Sequence, residues 1–100
     1  MVFDLSKVTG IGNYSTLEEE KDGALYRTIY KKADKAFLVV GKNTIEVRTD
    51  AKLAALLREK YESVMESRYF GRGGIEIVLA GAQLSEDELC DLVRLSYNLS

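Results

Sequence analysis

The chain has no histidine, no proline and no tryptophan among its 100 residues, and it has one cysteine, Cys90. Without histidine it lacks the commonest general base and the commonest metal ligand. One cysteine allows no intrachain disulfide, which fits a reducing cytoplasm, and leaves no His/Cys cluster for zinc. Cys90 lies near Asp87 and Asp91, and neighbouring carboxylates raise the pKa of a thiol rather than activate it, so either a packing role or a plain position on the helix surface is expected. We therefore expect no enzyme, no cofactor and no bound metal.

Long apolar runs are also missing. None approaches the ~20 residues that cross a bilayer, and the N-terminal stretch "MVFDLSKVTG" lacks the apolar segment of a signal peptide. We therefore expect a cytoplasmic protein with no membrane partner. A length of 100 residues, 46% of them apolar and 30% charged, fits a single globular domain over residues 1–100.

The net charge of −2 argues against indiscriminate binding to nucleic acid. The charges are segregated, however. Residues 24–48 carry six cations and two anions, a net of +4, whereas the remaining residues carry a net of −6. The simpler interpretation of this pattern is a set of solvated strand edges and turns; the alternative is a basic face, which requires the segment to fold as one sheet.

The same segment alternates with a period of two. "ALYRTIYKK", "KAFLVV" and "NTIEVRT" are rich in aromatic and β-branched residues and are separated by short polar breaks, which predicts an antiparallel meander of three strands. Between the last two, Gly41 and Asn43 are the residues best able to take positive φ.

Helical spacing follows in "DAKLAALLREKYESVMES", with Asp50 as N-cap and one apolar stripe formed by Leu53, Leu56, Leu57 and Tyr61. Its end is open between two alternatives. Val64 and Met65 continue the stripe, which would extend the helix to about Ser67. The other alternative is a stop near Tyr61 followed by a strand through "MESRYF".

The C-terminal part reads as a strand, "IEIVLAG", and a helix, "LSEDELCDLVRLSYNLS", in which Ser85 and Glu88 form a capping box. Residues 1–23 are poorly defined; "STLEEEKDG" has the pattern of one or two helical turns, capped by Thr16 and stopped by Gly23. Together these elements predict a two-layer α+β domain, an antiparallel sheet of four to five strands with helices packed on one face.

The stretch "SRYFGRGG" concentrates arginine, aromatic and glycine residues. "GRGG" lacks the Lys-Ser/Thr that follows a phosphate-binding P-loop, and its flanks read as strands. A tight connection between strands is therefore the better interpretation.

Four blocks resemble the MmcQ/YjbR-like family in order and spacing: "YRTIYKKADKAFLVV", "IEVRTDAKLAALLREKYESV", "SRYFGRGGIEIVLAG" and "LSEDELCDLVRLSYNLS". The resemblance covers residues 25–99. It implies a fold similar to secretion chaperones, in the order helix, three strands, helix, two strands, helix, with the early stop near Tyr61. It also makes "GRGG" a hairpin tip between "SRYF" and "IEIVLA", with positive φ at Gly71, Gly73 and Gly74. The family is described as double-wing DNA-binding proteins of unproven function.

The candidate nucleic-acid contacts lie on the two predicted hairpins and are Lys31, Lys32, Lys35, Arg68, Tyr69 and Arg72. Lysines neutralise phosphates, and an aromatic ring beside arginines stacks on bases. If Tyr69 and Phe70 alternate in a strand, only one of them faces the cations. The expected function is modest DNA binding by two basic turns held side by side. The alternative is a protein partner, or self-association, at exposed sheet edges and at the six tyrosines.

Overall fold

Six strands form one antiparallel open sheet in the order β1-β2-β3-β4-β6-β5, and two α-helices pack against it. The structure is a computed structural model and describes residues 3–100. Two short 3-10 turns, Leu5–Lys7 and Leu79–Gly81, complete it. The strands and helices are β1 Ser15–Lys21, β2 Ala24–Lys32, β3 Lys35–Val40, β4 Thr44–Arg48, α1 Ala51–Lys60, β5 Val64–Ser67, β6 Gly71–Val78 and α2 Glu86–Leu99. The predicted α+β class with an antiparallel sheet is confirmed.

The N-terminal helix predicted over "STLEEEKDG" is wrong, because Ser15–Lys21 is the edge strand β1. The sheet therefore has six strands rather than four to five, and the elements do not begin with an α-helix. Asp22 and Gly23 both take positive φ and form the two-residue turn between β1 and β2. Asp-Gly is a preferred pair for such hairpin turns, so Gly23 joins two strands instead of ending a helix. Met1 and Val2, at the start of the poorly defined segment, lie outside the described residues.

The predicted meander of β2, β3 and β4 is confirmed. Its register pairs Ile29 with Val39 and Leu38 with Val47. Neither Gly41 nor Asn43 takes positive φ, contrary to expectation; the left-handed residue of the meander is Ala33, in the β2–β3 turn.

Helix α1 begins after Asp50, whose side chain accepts a hydrogen bond from the Leu53 N–H, and it ends at Lys60. The early stop is therefore confirmed, and the extension to Ser67 is wrong. The stripe is shifted: Ala54 is fully buried, whereas Leu56 is exposed.

Both helices contribute to one core on the same face of the sheet. Cross-strand register puts Leu38, Val47 and Ile75 on this face, where they join Ala54 of α1 and Val93 of α2 in one apolar cluster. The capping box of α2 is present as predicted: the Ser85 hydroxyl accepts from the Glu88 N–H, and the Glu88 carboxylate accepts from the Ser85 N–H.

A buried serine ties α2 to the sheet. The Ser96 hydroxyl has no exposed surface; it donates to the carbonyl of Phe37 in β3 and accepts from the N–H of Arg48 in β4. Phe37 stands where the β2–β3 register shifts, so it is the extra residue of a bulge. The Ser96 hydroxyl therefore provides a hydrogen-bond donor for the carbonyl of the bulged residue Phe37.

Candidate nucleic-acid interface

The face of the sheet opposite the helices is crossed by residues 67–70, which we call the strap. The Phe70 ring packs against Ile29, Ala36 and Val39 of β2 and β3. The Ser67 hydroxyl and the Tyr69 N–H donate to the Glu46 carboxylate at 2.7 and 3.0 Å. The connection between β5 and β6 therefore lies on the sheet instead of projecting beyond it.

This geometry corrects the prediction for "GRGG". Residues 68–70 make the turn, and Gly71–Val78 is already strand β6. Of the three glycines expected to need positive φ, only Gly71 has it. Gly74 is required for another reason: a Cβ there would lie 2.5 Å from the Cβ of Phe70.

Two glutamates lie under the strap, directly opposite each other in β4 and β6. Glu46 and Glu76 are only 6% and 3% exposed. Opposed like charges destabilise a sheet, and each carboxylate is therefore matched by donors. Glu46 accepts from the strap as described, and Glu76 accepts two 3.1 Å bonds from Arg68. Sequence reasoning missed this pair, although a glutamate between isoleucines or valines in "IEV" and "IEI" is its visible signal.

Arg68, a predicted phosphate contact, is thus engaged by Glu76. The side-chain hydrogen bond to that carboxylate raises the pKa of Arg68. Its side chain still exposes 76% of its surface, and its Nη1 group has no acceptor among residues 3–100.

Aromatic rings and guanidinium groups alternate across this open face. The Arg27 guanidinium lies 5.5 Å from the Tyr26 ring centre and 5.3 Å from that of Tyr69, and its Nε donates to Glu19. Arg48 lies 5.0 Å from the Phe70 ring centre. Tyr69 is therefore beside a cation, as predicted, but the cation is Arg27 of β2. Because residues 68–70 form a turn, Tyr69 and Phe70 both lie on this face.

The three predicted lysines divide between the two faces at the β2–β3 turn. Lys31 pairs with Ala36, which belongs to the open face. Lys32 faces the helices: its Nζ donates to the Tyr97 carbonyl at 3.2 Å and lies 4.6 Å from that ring centre. Lys35 pairs with Lys32 and is exposed.

Arg72 lies at the same end of the sheet. Leu38 pairs with Val47 and Arg48 with Gly74, so the β2–β3 turn, the end of β4 and the start of β6 are neighbours. We call Lys31, Lys32, Lys35 and Arg72 the basic end. The side chains of three of these four, all except Lys32, form no hydrogen bond or ion pair within residues 3–100.

A cavity of about 300 Å³ opens on the same face as the strap, near the β3–β4 turn. It was not foreseen from the sequence. The residues that define its chemistry are Tyr26, Arg27, Val39, Lys42, Glu46 and Arg68.

Residues 3–100 contain no group of three or more His, Cys, Asp or Glu side chains that could hold a metal ion. Cys90 is buried, and burial raises the pKa of its thiol. Within the same residues no helix is long and apolar enough to span a membrane.

Comparison with known proteins returned no match, whether to family models, to curated proteins or to solved structures. The function must therefore be argued from the geometry of the basic end and the open face.

Proposed function

We propose that this protein binds nucleic acid, DNA foremost, through the basic end of its sheet. One observation carries the proposal. Antiparallel pairing brings Lys31, Lys35 and Arg72 to one end of the sheet, and none of the three side chains forms an ion pair with a described carboxylate. Cations without a protein partner are available to phosphates. The resemblance to the double-wing proteins of the MmcQ/YjbR-like family supports the same function.

The number of cations sets the expected strength. Three or four phosphate contacts give a slope of log K against log salt of about −3 to −4 for duplex DNA. The net charge of −2 adds repulsion from the rest of the surface. Binding should therefore be modest and should weaken steeply with salt.

The test is a titration of labelled duplex and single-stranded DNA at two salt concentrations. The variant K31Q/K35Q/R72Q should abolish most of the salt-dependent binding. The matched control is K7Q/K52Q/K60Q, which removes the same charge from other elements. If DNA binding is weakened equally in both variants, the effect depends on net charge and not on the basic end. Absence of binding by the unchanged protein would refute the proposal outright.

A second candidate is a protein partner that adds a strand to β1. This strand is at the edge of the sheet, and two leucines there, Leu17 in β1 and Leu25 in the adjacent β2, are 47% and 60% exposed. Strand β1 also carries three consecutive glutamates, Glu18, Glu19 and Glu20. If β1 paired with β1 of a second copy, these like charges would repel one another. The edge therefore favours a basic strand from another protein. An alternating Lys-Val peptide should shift β1 amide resonances, and a concentration-dependent dimer by light scattering would contradict the charge argument.

A further inference from the structure

Three charged side chains in the lining of the open-face cavity are held by hydrogen bonds or ion pairs. Glu46 on its floor is held by two donors from the strap. The guanidinium groups of Arg27 and Arg68 are each fixed by a carboxylate, Glu19 and Glu76. Groups fixed in this way lose little freedom when a ligand binds.

Arg27 and Arg68 also have N–H groups that donate to no acceptor among the described residues. Arg27 uses only its Nε in hydrogen bonds and Arg68 uses Nε and Nη2, so three Nη groups have no acceptor among the described residues. Lys42, on the exposed β3–β4 turn, has no described ion pair. Planar N–H forks beside an ammonium group are typical of sites for phosphate oxygens.

The other wall suits a planar ring. Tyr26 is 43% exposed and stands in the lining, whereas Val39 of the same lining is only 2% exposed and offers a base little surface. Lys21 and Arg27 each lie 5.5 Å from the Tyr26 ring centre. Lys21 is an exposed side chain that an incoming base can displace, whereas Arg27 is held by Glu19 and stays beside the ring. Stacking of bases on exposed aromatic rings is the usual mode of single-strand binding.

The charges around the cavity distinguish between two ligands, a nucleotide within a strand and a free mononucleotide. The cations Arg27, Lys42 and Arg68 are balanced in number by Glu19, Glu46 and Glu76, which lie in or directly against the lining. A near-neutral site suits a phosphodiester, with one negative charge, better than a terminal phosphate with about −1.5 to −2. This favours a nucleotide within a strand over a free mononucleotide.

We propose that the open-face cavity holds one nucleotide of a single strand, with its base against Tyr26 and its phosphodiester at Arg27, Lys42 and Arg68. The proposal rests on the proposed nucleic-acid function and adds a preference for single strands. Strand β3 has six residues and is therefore roughly 20 Å long. A single-stranded nucleic acid would cover that distance along the sheet between the cavity and the basic end.

The experiment uses an eight-residue oligothymidylate, a length within the range of single-domain sites, together with a thymidine dinucleotide, thymidine 5′-monophosphate and a blunt duplex. Tyr26→Ala should weaken oligothymidylate binding at least about fivefold and leave duplex binding unchanged. Tyr26→Phe keeps the ring and should bind normally. The matched control is Tyr14→Ala, since Tyr14 is equally exposed at 45% but packs on Tyr30 and Phe37.

Amide resonances localise the site directly. The dinucleotide should shift residues 41–44, and it should bind more tightly than the monophosphate. Tighter binding of the monophosphate, equal losses in Tyr26→Ala and Tyr14→Ala, or dinucleotide shifts confined to the basic end would overturn the proposal. If the duplex binds but the dinucleotide causes no shift, the cavity site is refuted and the proposed function stands. If the dinucleotide shifts residues 41–44 but the duplex does not bind, binding at the basic end is refuted and the cavity site stands. If neither probe binds, both claims fail.

Discussion

Replacing Ser96 with alanine removes the hydroxyl that joins helix α2 to strands β3 and β4. The change leaves two buried backbone groups, the N–H of Arg48 and the carbonyl of Phe37, without that partner. An unsatisfied buried polar group costs about 1 to 3 kcal/mol, and a carbonyl with a second lone pair tolerates the loss better than an N–H does. The expected loss of unfolding free energy is therefore about 2 to 4 kcal/mol.

Ser63→Ala is the matched control, because the buried Ser63 hydroxyl has no hydrogen-bond partner among residues 3–100. The same chemical change there should alter stability by less than about 0.5 kcal/mol or stabilise the protein. Urea unfolding followed by circular dichroism measures both variants. With a slope of about 1.5 kcal/mol/M, the midpoint of Ser96→Ala should fall by roughly 1.3 to 2.7 M. Equal midpoints for the two variants would refute the assigned role of Ser96.

Three further predictions concern the strap and the second helix. Gly74→Ala should cost about 1 to 3 kcal/mol, because its Cβ would collide with Phe70; Gly73→Ala, where a Cβ makes only ordinary contact, should be nearly neutral in the same urea assay. Phe70→Ala should cost about 2 kcal/mol, since the ring is only partly buried, and should speed amide exchange in β2 and β3; unchanged exchange would contradict the packing described. The hydrogen bond from the Ser85 N–H lowers the pKa of Glu88. A lowered carboxylate pKa contributes stability above the unfolded value of about 4.3, and that stability is lost as the pH falls through the lower folded value. Thermal midpoints between pH 5 and 3 should therefore fall less steeply for Glu88→Ala than for the unchanged protein, and parallel curves would rule this out.

The meander and both helix starts could be predicted because they depend on local signals. Alternation over residues 24–48 and the caps at Asp50 and Ser85 act within a few residues of chain. The first hairpin had a local signal too: Asp22-Gly23 is a turn pair, but the glutamates before it suggested the start of a helix. An edge strand tolerates charges on both sides, so β1 lacks the alternation that identifies a half-buried strand.

The candidate site was less predictable because its contacts join distant parts of the chain. Glu46 lies 21 residues from Ser67 and 23 from Tyr69, and no sequence spacing indicates that the strap turns back over β4. Antiparallel pairing accounts for the location of Arg72 beside the β2–β3 turn, but the sequence left open whether the two basic segments share one face of the sheet. The pairing of Arg68 with Glu76 could not be foreseen without the orientation of both side chains.

The attachment of α2 through Ser96 also bears on how the protein is made. A ribosome synthesises the chain from its N-terminus, and α2 follows all six strands in the sequence. The apolar side of the newly made sheet, including Phe37 and Val47, is therefore without one of its two covering helices until residues 86–99 have emerged. During that interval part of this apolar surface lacks its cover, and the native structure is complete only after the late helix docks.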